Sequence, residues 1–339
     1  MWELKNETPY IADRGWYRDI NGAEVWVVAI KATYAIQPDG SVVPATSLLP
    51  VNTGAVTYPD SEEMLYDTDL GPEKTATDIL LNGHAWSRMN KEVTQLFVGM
   101  KVAGICRLAK VIGERVWNGV EYSAPARFTK MPLRYTNMAN TAAGLPDICN
   151  PLGIHHSTPV ATENAAHLPQ IEFLTDKGYP GFGAVPRNWP GRLRYAGTYD
   201  QNWRENRAPL FPEDFEANFW QSAPPPQYAA GQLRGGEIVT LANLTPPDFS
   251  ASSLISFAIP RVSLRLRTQF TDGSTQIHRA KMHTVILEPD YPRFSVVWHS
   301  ALPCHQRVNM LVATTITEKK PLPLPQAVLP TEFKEWECL

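Results

Sequence analysis

The run Glu24–Ile36, EVWVVAIKATYAI, constrains this chain more than any other stretch. It is almost unbroken in Val, Ile, Ala and aromatic residues. β-Branched and aromatic side chains suit a pleated backbone, and the lack of polar alternation calls for burial on both faces. A strand of that kind belongs inside a sheet that is covered on both sides. Val262–Phe270 makes the opposite demand. There Val262, Leu264, Leu266, Thr268 and Phe270 alternate with Ser263, Arg265, Arg267 and Gln269, which predicts one buried and one wet face. The same chain carries thirty prolines. Each removes a ladder donor and fixes φ, so clean strands have to alternate with long ordered loops.

Asn21-Gly22 opens the first long strand, and Pro38-Asp39-Gly40 turns it into a return strand at Ser41–Pro44. Residues 45–77 are loop-like and carry Glu62, Glu63, Asp67 and Asp69. Asp78–Arg88 is expected as a strand interrupted at Asn82-Gly83 by a bulge or a turn. Val93–Ala103 and Ile105–Trp117 follow, then an Asn118-Gly119 hairpin that returns through Val120–Ser123. Turns at such short spacing suit a sandwich or a barrel. Periodicity fails from Pro125 to Pro190, yet Phe and Trp persist there, so an ordered coil packed over strands is expected. A helix is expected at Pro212–Ala223: proline opens it, acids fill its first turn, and Pro224-Pro225-Pro226 stops it. Strands resume at Gly236–Leu244 and Val262–Phe270. Asp272-Gly273 then turns the chain into Thr275–Leu287, and Arg293–Leu302 and Val308–Thr317 complete the set.

The fold class expected is therefore mainly β: two β-sandwich-like modules joined by a long ordered coil with one short helix. Residues 1–124 make the first module, 125–235 the coil, 236–318 the second module and 319–339 a proline-rich tail of polyproline type. No fixed-period repeat marks the modules as a duplication.

Composition narrows the function. A net charge of −3 supplies no general basic face for phosphates, so nucleic acid is not expected as a partner. No apolar run is long enough for a membrane span. The N-terminal MWELKNETPYIADRG lacks the apolar core of a signal peptide. Cys106, Cys149, Cys304 and Cys338 are scattered, with no C-x-x-C pair, which suits reduced thiols. A cytoplasmic protein is expected.

The stretch richest in aromatic and arginine side chains is Trp189–Phe215, WPGRLRYAGTYDQNWRENRAPLFPEDF. We take Trp189, Arg192, Gly197, Thr198, Tyr199, Asp200, Trp203, Pro212, Asp214 and Phe215 as a structural clasp between the halves. Paired acids beside aromatic platforms are also what glycosidases use. Here, though, Arg192, Arg194, Arg204 and Arg207 stand ready to pair with Asp200, Glu205, Glu213 and Asp214 and keep them ionised, the wrong direction for a general acid. In the clasp, Gly197 permits positive φ or close backbone approach, and Asp200 accepts bonds from amides or a guanidinium.

Other chemistry is absent. His155-His156 are adjacent and face opposite ways on an extended chain, and so do His278 and His283, an odd number apart. Neither pair makes a metal site. There is no nucleophile elbow, and Cys149 near His155 is best read as an inert thiol. Gly178–Gly183, GYPGFG, lacks the strand–turn–helix context of a phosphate loop and suits a tight packing turn. No catalytic residue, cofactor or metal ligand is assigned, and the chain is not expected to be an enzyme.

Several segments, in order, resemble a bacterial domain-of-unknown-function family encoded beside type VI secretion spike (VgrG) and PAAR-tip genes. They are VVAIKATYAI (Val27–Ile36), YDTDLGPEKTATDILLNGHAW (Tyr66–Trp86), GERVW (Gly113–Trp117) and MPLRY (Met131–Tyr135). NPLG (Asn150–Gly153), LPQIE (Leu168–Glu172), GFG (Gly181–Gly183) and AGTYDQNW…RAPLFPEDF (Ala196–Phe215) continue the series. The resemblance covers roughly Asp13 to Ala223, with a weaker β tail. It implies a non-catalytic adaptor or chaperone whose partners are a toxic effector protein and the VgrG/PAAR spike components, and it supplies no catalytic residues.

Overall fold

The computed structural model describes residues 2–118, 120–141, 149–154, 167–175 and 178–319. Within them the chain is mainly β, as its patterning requires. Glu24–Ile36 forms one strand, β3, buried along almost its whole length. It lies second in a six-stranded sheet. On one side of it is β2 (Ile11–Arg18). On the other come β18 (Arg293–Pro303), β17 (Lys281–Glu288) and β7 (Asp78–Leu81), while β4 (Val42–Pro44) returns along its end. A five-stranded sheet follows the order β12 (Ile171–Phe173), β10 (Ile105–Ile112), β9 (Gln95–Val102), β13 (Ile238–Ala242) and β14 (Leu254–Ala258). A four-stranded sheet follows β1 (Glu3–Asn6), β19 (Leu311–Lys319), β15 (Ser263–Phe270) and β16 (Thr275–Arg279). Two short pairs complete the set: β5 (Val56–Thr57) with β6 (Met64–Tyr66), and β8 (His84–Trp86) with β11 (Lys130–Pro132).

β15 alternates exposed and buried residues without exception, Arg265 and Arg267 outward, Leu264 and Leu266 inward. One apolar cluster unites the three large sheets. It includes Trp26, Ile30 and Trp298 from the first, Met100 and Val239 from the second, and Leu266 and Ile316 from the third. Each such side chain contributes about 1.5–3 kcal/mol on full burial. The Trp26 indole N–H also donates to Thr314 Oγ1 at 3.1 Å, which ties β3 to the four-stranded sheet.

The strand pairings cross the boundaries expected at residues 124 and 236. β3 runs antiparallel to β18 from Ala35↔Arg293 to Val25↔Pro303. β7 lies parallel to β17, β9 antiparallel to β13, and β1 parallel to β19. Two modules side by side are thus replaced by three large sheets that each mix early and late strands over a shared core. Two expected single strands also divide. Asp78–Arg88 becomes β7 and β8, in different sheets, with a break at Asn82-Gly83 where Asn82 Nδ2 donates to the Leu65 carbonyl. Thr275–Leu287 becomes β16 and β17, again in different sheets.

The helix expected at Pro212–Ala223 is absent. The only helical part of that stretch is Ala217–Trp220, a 3-10 segment, after a tight turn at Glu213-Asp214. Its backbone groups are taken by tertiary partners: Glu216 N–H donates to the Tyr195 carbonyl, and the Phe219 carbonyl accepts from Arg192 Nε at 2.9 Å. Cys106 is disulfide-bonded, against the expectation of four thiols, whereas Cys149 and Cys304 remain thiols. His155-His156, Cys338 and residues 320–339 lie outside the described residues, as does Gly119 of the expected hairpin.

Candidate functional site

The two α-helical segments among the described residues both belong to the clasp: α1 (Pro190–Leu193) and α2 (Gln201–Asn206). Proline opens α1. Asp200 caps α2, its carboxylate accepting from the Trp203 N–H at 2.8 Å. The turn between them needs glycine. Gly197 has φ +78°, and a Cβ there would stand 2.8 Å from both Asp214 Oδ1 and Pro212 Cβ and 3.0 Å from Phe215 N. Asp214 closes the turn by accepting from Thr198 N–H at 2.9 Å and Thr198 Oγ1 at 2.7 Å. These two bonds hold its carboxyl below the usual range. Tyr199 packs edge-on against Trp203 at 4.7 Å, and Phe215 lies among Phe211, Phe219 and Trp220. Gly197, Thr198, Pro212, Asp214 and Phe215 therefore form one closed turn, and Tyr199, Asp200 and Trp203 a second unit beside it.

Trp189 and Arg192 face elsewhere. Trp189 is buried edge-on against Tyr135 at 4.9 Å. Arg192 is also buried, and its partner is not a clasp acid. Its Nη1 donates to Asp67 Oδ2 at 2.8 Å and to the Val185 carbonyl at 2.9 Å. None of the four clasp arginines pairs with Asp200, Glu205, Glu213 or Asp214. Asp200 caps, Glu205 holds Gln201, and Arg207 reaches the carbonyls of Phe211 and Ile20. The clasp thereby grips the turn between β2 and β3, where Leu210 packs on Gly22.

Asp67 is one of a row of buried charges between β6 and β7. Burial works to raise its carboxyl, but Arg192 and Arg187 outweigh it and hold the group below its ordinary range. Asp69 pairs with buried Lys31 at 3.1 Å, yet burial dominates there and raises its carboxyl. Lys74 donates to Asp78 at 2.6 Å, Thr284 Oγ1 at 2.9 Å and Ser222 Oγ at 3.0 Å. The Lys74–Ser222 contact has the makings of a Ser–Lys dyad. All three ammonium donors are engaged, however, and Lys74, Asp78 and Ser222 are sealed from solvent. The row is a joint between the coil and the six-stranded sheet. In the sequence these acids sit in an apparent loop; the useful signal was the i, i+4 pair Lys74/Asp78 within one of the resemblance segments.

Beside α1 opens a cleft of about 710 Å³. Tyr135, Tyr179, Trp189 and Tyr228 supply aromatic walls, and Arg192 and Arg194 supply cationic groups. Pockets of about 300–1,000 Å³ are the usual size for ligand or peptide side-chain sites. Arg194 is exposed, stacks over the Tyr195 ring and donates to the Tyr195 hydroxyl at 2.7 Å. No histidine or carboxylate is found among the described residues lining this cleft. GYPGFG forms part of its wall, and Gly181, at φ +110°, is the packing turn expected: a Cβ there would lie 2.3 Å from the Tyr135 ring. Among the described residues no group of three or more His, Cys, Asp or Glu is placed to hold a metal ion.

A family described as "Uncharacterized protein conserved in bacteria (DUF2169)" matches residues 21–299. The chain belongs to the DUF2169 family. The match takes in β13–β17 and most of β18, the tail in which the resemblance read from the sequence was weaker, so the late strands are as much a part of the DUF2169 fold as the clasp. No curated protein and no solved structure matches the chain. No described helix is long and apolar enough to cross a membrane.

Proposed function

We propose that this protein is a non-catalytic adaptor or chaperone. It holds a toxic effector in the cytoplasm and helps load it onto a type VI secretion spike, in contact with VgrG and PAAR-tip components. The cleft beside α1 carries this reading. It is large enough for a peptide segment, its walls are aromatic with arginine at the rim, and its described lining, which includes the Cys149 thiol, holds no histidine or carboxylate. Aromatic and arginine anchors in concave sites dominate protein–protein binding energy. The secretion context rests on the resemblance of the ordered segments, above all Ala196–Phe215, whose clasp sets the position of α1 at the cleft wall.

The test is co-expression with the toxin and spike genes encoded nearby. Tagged chain should retain the toxin through purification. Recovery of neither toxin nor spike component, together with turnover in a glycan screen, would replace the adaptor by a carbohydrate-active protein.

A further inference from the structure

The four-stranded sheet presents a second surface, on the wet face of β15. Register places Arg265 directly opposite Arg279 of β16, and Arg267 opposite Ile277. On the other side Arg267 faces Thr315 of β19, which in turn faces Lys5 of β1, and Ser263 faces Lys319. Five basic side chains thus stand on one sheet face of a protein whose net charge is −3. The acid in these rows is Glu3, already paired with Lys5 at 3.5 Å. Among the described residues no carboxylate lies within ion-pair distance of Arg265, Arg267 or Arg279.

Like charges directly opposite across an antiparallel pair are destabilising. The Arg265–Arg279 pair therefore costs stability with nothing in the described chain to offset it. Departures from local sheet rules of this kind concentrate at functional surfaces. The adjoining strand is also open. Among the described residues β16 ends the sheet order and pairs with β15 alone, and Ile277 on its outer face is 56% exposed. His278 anchors the strand from beneath, bonding Thr268 Oγ1 at 2.9 Å and Ser300 Oγ at 2.5 Å. The edge is held in strand geometry before anything binds.

We infer that β16 accepts an acidic, extended segment of a partner protein as an added strand. Its main chain pairs with the β16 edge, and carboxylates on alternate residues meet Arg279, Arg265 and Arg267. An extended peptide with a two-residue period places every second side chain on that face, where the aliphatic stems of its acids cover Ile277, while the residues between them point to the opposite face. Charge complementarity fixes the partner's sign. Three arginines around one exposed isoleucine suit a peptide with apolar content better than a phosphate backbone. This surface is distinct from the cleft and does not depend on the adaptor reading.

The probe is a fluorescein-labelled acetyl-(Glu-Val)4-amide peptide, titrated with the full chain by anisotropy. Its (Lys-Val)4 counterpart and a single-stranded DNA oligonucleotide serve as comparisons. Saturable binding of the Glu peptide alone is expected. It should weaken at least tenfold in R265Q/R267Q/R279Q and be lost when the peptide's alternate amides are N-methylated. The triple variant should melt no lower than wild type, since it removes repulsion. Equal binding by the triple variant, a lower melting temperature for it, or preference for the oligonucleotide each overturns the proposal. Failure to capture the neighbouring toxin leaves this result untouched, so the two readings fail separately.

Discussion

Acid should destabilise this fold well above the carboxylate range, because it buries His283 and His299 and half-buries His278, all in neutral form. His283 accepts the Lys74 N–H at 2.9 Å and stacks on His299 with centroids 4.4 Å apart. His299 bonds the Gly71 carbonyl at 2.8 Å, and His278 sits beneath β16. Burial pulls His278 down to about 4 and His299 to about 4. Burial, with His299 and Lys74 adding to it, pushes His283 well below its ordinary value. Unfolded histidine titrates near 6.5, so between about pH 6.5 and 4 the unfolded chain binds protons that the folded chain refuses. Stability is full above 6.5 and falls as pH drops, by up to about 1.4 kcal/mol per unit for each histidine. From pH 7 to 5, His278 and His299 together remove about 4 kcal/mol, and His283 adds to the loss. That is a large part of a typical total of about 5–15 kcal/mol. At about 2–4 °C per kcal/mol for a chain this long, the midpoint falls by roughly 8–15 °C. Asp69 works the other way, since its raised carboxyl binds a proton earlier when folded, but it is one group against three. Asp67 and Asp290, held low, matter only below about pH 4. Melting curves at pH 7, 6 and 5 measure the effect. His278→Gln should flatten the pH slope by about 1.4 kcal/mol per unit whatever it does at pH 7. A midpoint that stays level between pH 7 and 5 would refute the reasoning.

Two carboxylates, Asp200 in the clasp and Asp67 outside it, should behave very differently. Asp200→Ala removes a helix cap and should cost about 1 kcal/mol, whereas Asp67→Ala strands buried Arg192 and should cost about 3–5 kcal/mol; denaturant unfolding distinguishes them. Gly197→Ala forces a side chain into a left-handed turn and against Pro212 and Asp214, so a loss of about 2 kcal/mol or more is expected in the same assay.

What was legible in the sequence was local. The ends of β3 and the alternation of β15 follow from periodicity, because each residue's burial is decided by its own strand's two faces. Gly197 and Gly181 were legible as backbone positions for the same reason. The pairing of β3 with β18 leaves no local trace, so a chain whose early and late strands share sheets looked like two modules. The clasp failed at its charges. Four arginines and four acids in one short stretch invite local pairing, but α1 turns Arg192 inward to Asp67, over a hundred residues earlier. The helix expected at Pro212–Ala223 failed because Asp214, which looked like a first-turn acid, is drawn back to Thr198. The cleft was not foreseen, since its walls come from five separate parts of the coil.

The proposal that the cleft is a partner-binding surface is tested most directly by calorimetric titration of the purified chain with a purified toxin of the class that the proposed adaptor role calls for. The prediction is a saturable complex that Tyr179→Ala combined with Arg194→Ala weakens about tenfold or more, while the melting temperature stays that of the wild type. A toxin that fails to bind, or that binds the double variant as tightly as the wild type, would contradict it.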